Sequence, residues 1–286
     1  MLGRERVVLH ALMTAGLPRE KLTLVKMLFL VRQETDVGRQ IPFYDFLPYQ
    51  FGPFSFVLYN DLRRLTETGL LSDAGDQLAL APSGRALGAI RPLTPAIAGA
   101  VASVVARYGT MSTRQLVRHV YRHYPWYASR SRLVPATPRN PAPPAAYTVG
   151  YEGRSLDAFI DLLLRRGVAR VLDVRKNAYS MKYGFTGAAL RSTCEKCGLS
   201  YHHMPELGVP SVDRRDLSTP EAVERVLGHY ETDILPMQAA AVRRVADYQA
   251  ELPSALLCYE ADASSCHRGR LAAAVGAMSG LEVVHL

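Results

Sequence analysis

The densest chemistry in the chain lies in LLCYEADASSCHRGRLAAAV, from Leu256 to Val275. An apolar run ends in Cys258, Tyr259 and Glu260. A short loop follows, and Cys266, His267 and Arg268 then open a segment with a helical pattern. A thiol, an imidazole and a guanidinium in a row before a helix suit four uses. The thiol can be a nucleophile, because unpaired N–H groups and the helix dipole favour the thiolate. Thiol and imidazole can ligate zinc. Arginine and a helix N-terminus can hold an anion. The fourth use is structural, a buried network in which Asp173 and Glu260 pair with Arg175 and Arg268.

The residues around the motif separate these uses. A rhodanese-like thiol loop needs successive backbone N–H groups after the cysteine. Here the loop Ala261–Ser265 precedes Cys266, and Cys258 is the thiol that such a plan requires. For zinc, Cys194 and Cys197 form a CxxC near His202 and His203. The two cysteines read as i and i+3 on one helix, no second cysteine pair follows, and adjacent histidines point to opposite faces of a strand. No metal and no cofactor are therefore expected.

An anion site with acid–base chemistry fits best. Arg175, Arg268 and the helix start near Cys266 are expected to hold a phosphate, with Ser180, Tyr201 and Tyr151 beside it. Asp173, Glu206 or Glu260 would activate a water or stabilise a developing cation. His267 is the proton carrier near neutral pH. Tyr151, Tyr179, Tyr183 and Tyr201 could stack on an extruded base, although core packing is the ordinary role of each.

These residues need a scaffold that brings distant segments to one edge. From residue 147 onward, short apolar strands alternate with helical patterns: YTVGY, then LDAFIDLLLRRG capped by Ser155, ARVLDVRK, a helix over 185–197, LSYHHM, helices over 221–227 and 237–250, SALLCYE, the CHR helix and LEVVHL. That alternation predicts an α/β domain with a mostly parallel sheet flanked by helices, whose ligands bind beyond the carboxyl ends of the strands. PATPRNPAPPAA holds five prolines and reads as a stiff linker over 135–146. Residues 1–134 read as mainly helical. Helices over 4–15 and from Pro18, a Gly52-Pro53 turn, a helix over 55–67 and two short strands around Ala74-Gly75-Asp76 follow the plan of a winged helix. On that plan Arg63 and Arg64 would meet DNA near the end of the recognition helix. The competing reading is a helical module that docks protein.

Two resemblances bear on this. YTVGYEGRSLDAFIDLLLRRGV, VLDVRKNAYS, GLSYHHMPELGVP and LLCYEADASSCHRGRLA resemble the domain of unknown function 488 family over residues 147–286. The resemblance implies a functional set of Asp173, Arg175, Ser180, Tyr201, Glu206, Cys258, Glu260, Cys266, His267 and Arg268. Lys176-Asn177-Ala178 stands where members carry a proline before the serine. KLTLVKMLFL, PYQFGPFSFVLYNDLRRLTETGLL and YPWYASRS resemble the Panacea antitoxin-like domain over the first 130 residues or so. That resemblance implies protein contacts and toxin neutralisation.

Composition supplies the setting. Lys and Arg number 34 against 26 Asp and Glu, a formal net charge of +8, and most of the cations are arginine. Nucleic acid, DNA rather than RNA, is the expected partner, with a protein partner at the N-terminal domain as the other. No apolar run is long enough for a membrane span. Four cysteines are too few for a disulfide framework in a chain of this length, which suits a reducing cytoplasm. The expected function is a nucleic-acid-binding enzyme that hydrolyses or alters a nucleotide or a damaged or modified DNA base, for instance by N-glycosidic cleavage. The alternatives are a rhodanese-like thiol transferase and a non-enzymatic ligand-binding regulator in a defence or toxin–antitoxin setting.

Overall fold

A computed structural model describes residues 1–16, 18–135, 141–210, 212 and 218–286. They form two compact units, Met1–Thr137 and Pro138–Leu286. Residues 136–140 of the proline-rich stretch lie outside the described residues. The described remainder packs on the second unit: Ala142 N–H donates to the Gly167 carbonyl and Ala146 begins a strand, so residues 141–146 are anchored there.

The first unit runs α1 (Gly3–Ala15), β1 (Arg19–Glu20), α2 (Lys21–Glu34), β2 (Leu47–Tyr49), β3 (Gly52–Phe54), α3 (Phe56–Glu67), β4 (Leu71–Ala74), β5 (Gln77–Leu80), α4 (Pro82–Ile90), α5 (Pro95–Tyr108) and α6 (Thr113–His123). Strand β1 joins the β4–β5 hairpin in an antiparallel sheet of order β1-β5-β4. Ser55 caps α3 by accepting from Leu58 N–H at 3.1 Å. The turn expected at Gly52-Pro53 sits two residues earlier. Gln50 and Phe51 form it, and Gly52, with φ of 90°, opens β3. That backbone conformation strains any residue with a side chain. Helices α1, α2, α5 and α6 share one apolar core that includes Leu28, Phe29, Val101 and Leu116.

The second unit runs β6 (Ala146–Gly150), α7 (Leu156–Arg165), β7 (Arg170–Asp173), α8 (Gly187–Lys196), β8 (Ser200–His203), α9 (Pro220–His229), α10 (Ala239–Glu251), β9 (Ser254–Cys258), α11 (His267–Ser279) and β10 (Val283–His285). All five strands are parallel, in the order β10-β6-β9-β7-β8. The central strands are continuous apolar runs because helices cover both faces. Leu172, Val174 and Leu256 on one face pack with Val245, Leu271 and Val275 of α10 and α11. Strand β9 lies between β6 and β7, so its carboxyl end opens at the middle of the sheet edge, where ligands bind in this architecture.

Candidate active site

Strand β9 delivers Cys258 to that edge, and the loop 259–265 returns the chain to α11, whose first turn carries His267 and Arg268. The loop is fastened at both sides. Tyr151 and Glu152 N–H groups donate to the Tyr259 carbonyl at 3.1 and 2.8 Å, and Ala261 N–H donates to Glu152 Oε2 at 2.9 Å. Gly150 lets the Glu260 backbone cross the end of β6. A Cβ there would stand 1.8 Å from the Glu260 carbonyl oxygen.

Arg268 is 1 % exposed, and its guanidinium donates to the carbonyls of Glu260 at 2.6 Å and Ala261 at 2.9 Å. It therefore shapes the loop from inside and does not form the expected phosphate clamp. Three N–H groups of the loop and helix cap are also engaged, Ala261 with Glu152, Ser264 with Asp262 and Cys266 with the Ala263 carbonyl. An anion cradle at this helix start would need those donors free.

What converges instead is a compact set of thiols, imidazole and carboxylate. Cys258 Sγ donates to Glu260 Oε2 at 3.2 Å. His267 Nδ1 lies 3.7 Å from Cys258 Sγ and 3.8 Å from Cys266 Sγ. His267 Nε2 donates to the Val174 carbonyl at 3.1 Å, which turns Nδ1 towards both sulfurs. The Tyr230 ring meets the imidazole edge to face at 5.3 Å, and its hydroxyl donates to the Leu207 carbonyl at 2.7 Å. Burial alone would raise the Cys266 thiol. The hydrogen bond from Cys258, the contact with His267 and the Arg268 charge outweigh it and bring Cys266 down. Cys258 is pushed up by its hydrogen bond to Cys266 and by burial. Burial and the Cys266 charge push Glu260 up.

Glu260, Ser265, Cys266 and His267 line a cavity of about 250 Å³ whose other wall is Val209, Val223, Val226 and Leu227. The chain beside Val209 meets the loop that follows β7. Gly208 packs so closely on Lys176 that a Cβ there would lie 2.1 Å from the Lys176 nitrogen. That loop exposes Tyr179, Met181 and Tyr183.

The rest of the expected site lies elsewhere. Asp173 pairs in register with Leu257, whereas Cys258 pairs with Gly150. Side chains alternate along a strand, so Asp173 faces the side opposite Cys258. There Asp173, fully buried, accepts from Arg175 Nε at 2.8 Å, Arg175 Nη2 at 2.5 Å and Tyr201 Oη at 2.5 Å. Arg175 Nη1 also donates to Tyr151 Oη at 3.1 Å and to the Phe185 carbonyl at 2.9 Å. Tyr151 stacks on Phe185 with centroids 4.2 Å apart. Asp173, Arg175, Tyr201 and Tyr151 thus form a sealed structural network. Burial and the Asp173 charge push the Tyr201 phenol up. Glu206 pairs with Arg244, and Ser180 accepts from Lys182 N–H within its own loop at 3.1 Å. Of the residues singled out from sequence, only Glu260, Cys266 and His267 meet in the open cavity. Cys258, named from sequence as the thiol of a rhodanese-like loop and in the functional set that the resemblance implies, lies outside the cavity lining, its sulfur within 4.8 Å of the Cys266 and His267 donor atoms. Its placement at the end of an apolar strand was the signal for it.

Cys194 and Cys197, both buried, belong to α8 and its C-cap. Among the described residues, the potential metal donors that converge are Cys258, Cys266 and His267. In the first unit, Arg63 pairs with Glu67 at 2.6 Å. Arg64 pairs with the buried Glu5 and Asp61, tying α3 to α1. The Arg64 guanidinium is therefore directed to structure. Among the described residues, no helix is long and apolar enough to cross a membrane.

No curated protein and no solved structure gives a significant match to the chain. Residues 155–275 match the family described as Domain of unknown function DUF488, a span from the cap of α7 to the body of α11 that includes every residue of the cavity. The second unit therefore belongs to the Domain of unknown function DUF488 family.

Proposed function

We propose that the second unit is a hydrolytic enzyme acting on a nucleotide or on an unpaired base of DNA, for example by N-glycosidic cleavage. The observation that carries the reading is the convergence of Glu260, Cys266 and His267 on one cavity at the carboxyl edge of the sheet. Glu260 stands at the wall as the group that takes a proton from an attacking water, and Cys266 and His267 form the floor. The volume of about 250 Å³ suits a single base or sugar rather than an extended ligand. Tyr179 and Tyr183, exposed on the loop after β7, offer flat faces for neighbouring bases. The net charge of +8 favours a polyanionic substrate.

The first unit is the positioning module in this reading. Its helix–strand–helix–helix–hairpin order with a three-stranded sheet supports the winged-helix expectation. The cations offered to an anionic partner are Arg114, Arg118 and Arg122, exposed at i, i+4 and i+8 on α6.

The test is a mass-resolved product screen of the full chain on free nucleotides and on single-stranded DNA carrying damaged or modified bases. Turnover should appear on at least one substrate and be lost in Glu260→Gln with the fold unchanged by circular dichroism. Turnover that survives in Glu260→Gln, or none on any substrate, would overturn the reading.

A further inference from the structure

We propose that Cys258, Cys266 and His267 bind one zinc-class divalent ion, with the fourth position open to the cavity and Glu260 beside it. The proposal deepens the catalytic reading of the same site by naming its cofactor.

Four observations carry it. First, the donor atoms of the three residues lie within 4.8 Å of one another, and all three side chains are buried. Second, the spacing fits an ion. A tetrahedral zinc with bonds of about 2.3 Å to sulfur and 2.0–2.1 Å to nitrogen holds sulfur and nitrogen roughly 3.6 Å apart. The two sulfur–Nδ1 separations are 3.7 and 3.8 Å. These distances are long for a hydrogen bond to nitrogen and right for two ligands of one ion.

Third, the imidazole is fixed for ligation. His267 Nε2 donates to the Val174 carbonyl at 3.1 Å, the backbone contact that sets the tautomer and aims the other nitrogen at a metal. Packing against Tyr230 holds the ring in place. Fourth, the set is open on one side. Cys266 and His267 line the cavity and Cys258 does not, so an ion among the three has its free position towards that space. Three protein ligands and an open fourth position is the pattern of a catalytic site, whereas structural zinc sites are closed by four.

Two thiolates and an imidazole select zinc or a similarly soft divalent ion over magnesium or calcium, which take oxygen ligands. The ion would supply Lewis-acid chemistry at the cavity floor. Glu260 Oε2, 3.2 Å from Cys258 Sγ, is then within reach of a water in the open position. Because Arg268 holds the Glu260 and Ala261 carbonyls, the loop keeps Glu260 there.

The experiment measures metal in the full-length protein, purified under reducing conditions without chelator, by plasma mass spectrometry. About one zinc-class ion per chain is expected. Cys258→Ser, Cys266→Ser and His267→Gln should each lower it at least fivefold. Cys194→Ser, a buried thiol on a different helix, should leave it unchanged. To separate loss of a ligand from loss of the fold, the wild-type apoprotein is also titrated with cobalt(II). A sulfur-to-cobalt charge-transfer band with intense tetrahedral d–d bands should saturate at one equivalent. No metal together with no such band overturns the proposal, as does metal retained in all three ligand variants. Either readout stands whatever the activity screen returns: a metal-loaded protein without turnover refutes the hydrolase, and turnover in a metal-free protein refutes the metal site.

Discussion

Asp173 and Cys258 end neighbouring strands, yet they face opposite sides of the sheet, because Asp173 is in register with Leu257. The consequence is a division of labour. The Asp173–Arg175 pair, buried with Tyr201 and Tyr151, stabilises the strand ends, and the proposed chemistry lies on the other face. Asp173→Asn should therefore destabilise the second unit by about 3–5 kcal/mol, the range for removing one partner of a buried ion pair. The double variant Asp173→Asn/Arg175→Met should recover part of that loss, because no charge is then left unpaired. Urea unfolding followed by circular dichroism measures both. A loss of turnover without any loss of stability in Asp173→Asn would return this residue to the catalytic set.

Gly150 links the sheet to the cavity through a single close approach. A methyl group there would meet the Glu260 carbonyl oxygen at 1.8 Å, and backbone cannot give way as a flexible side chain can. Gly150→Ala should destabilise the unit by about 1–3 kcal/mol and displace the Glu260 loop. Hydrogen exchange is the direct probe, with faster exchange expected over residues 259–265 and little change in α7. Unchanged exchange in that loop would mean that the crossing is not tightly held.

The sequence made the α/β alternation legible because the central strands are apolar runs bounded by turn residues, and Ser155 caps α7 as expected, accepting from Ala158 N–H at 3.1 Å. It also placed Glu260, Cys266 and His267 at one strand end. It could not reveal which residues share a face. That depends on register: one position along β7 separates Asp173 from Val174, whose carbonyl orients His267. It also could not tell a ligand-binding arginine from one that holds its own loop. Arg268 and Arg175 have the residue type of a phosphate clamp, and both are spent on internal carbonyls or a carboxylate. The cysteine spacing that drew attention to zinc was that of Cys194 and Cys197. Cys194 and Cys197 are close in sequence, whereas the converging cysteines are separated by a loop and joined by the return of α11 to β9.

Tyr179 and Tyr183 test the nucleic-acid reading apart from catalysis. Both rings are exposed on the loop after β7. Alanine at each should weaken binding of single-stranded DNA by about 1–3 kcal/mol if a base stacks there. Binding should also weaken steeply as salt rises, with a similar slope in both variants, because the rings carry no charge. Fluorescence anisotropy at two salt concentrations reads both effects. No binding at low salt would sink the nucleic-acid reading altogether.

Lys26 gives the first unit a pH dependence of its own. The side chain is 1 % exposed and its Nζ donates to the Pro53 carbonyl at 3.0 Å. Burial brings its pKa down to about 7, whereas the unfolded chain titrates near the usual lysine value of about 10.4. Between those two values the unfolded chain binds more protons than the folded one, so stability rises with pH across that window. Below about pH 7 the folded unit must hold a buried cation, and its stability levels off at the lower value. Trp126, the sole tryptophan, lies in this unit and reports its unfolding in the full chain. Urea midpoints at pH 7 and pH 9.5 should differ in the wild type by the equivalent of roughly 2–3 kcal/mol more than in Lys26→Met, whose side chain cannot titrate. Equal pH dependence in the two proteins would mean that Lys26 keeps an ordinary affinity for its proton in the folded unit.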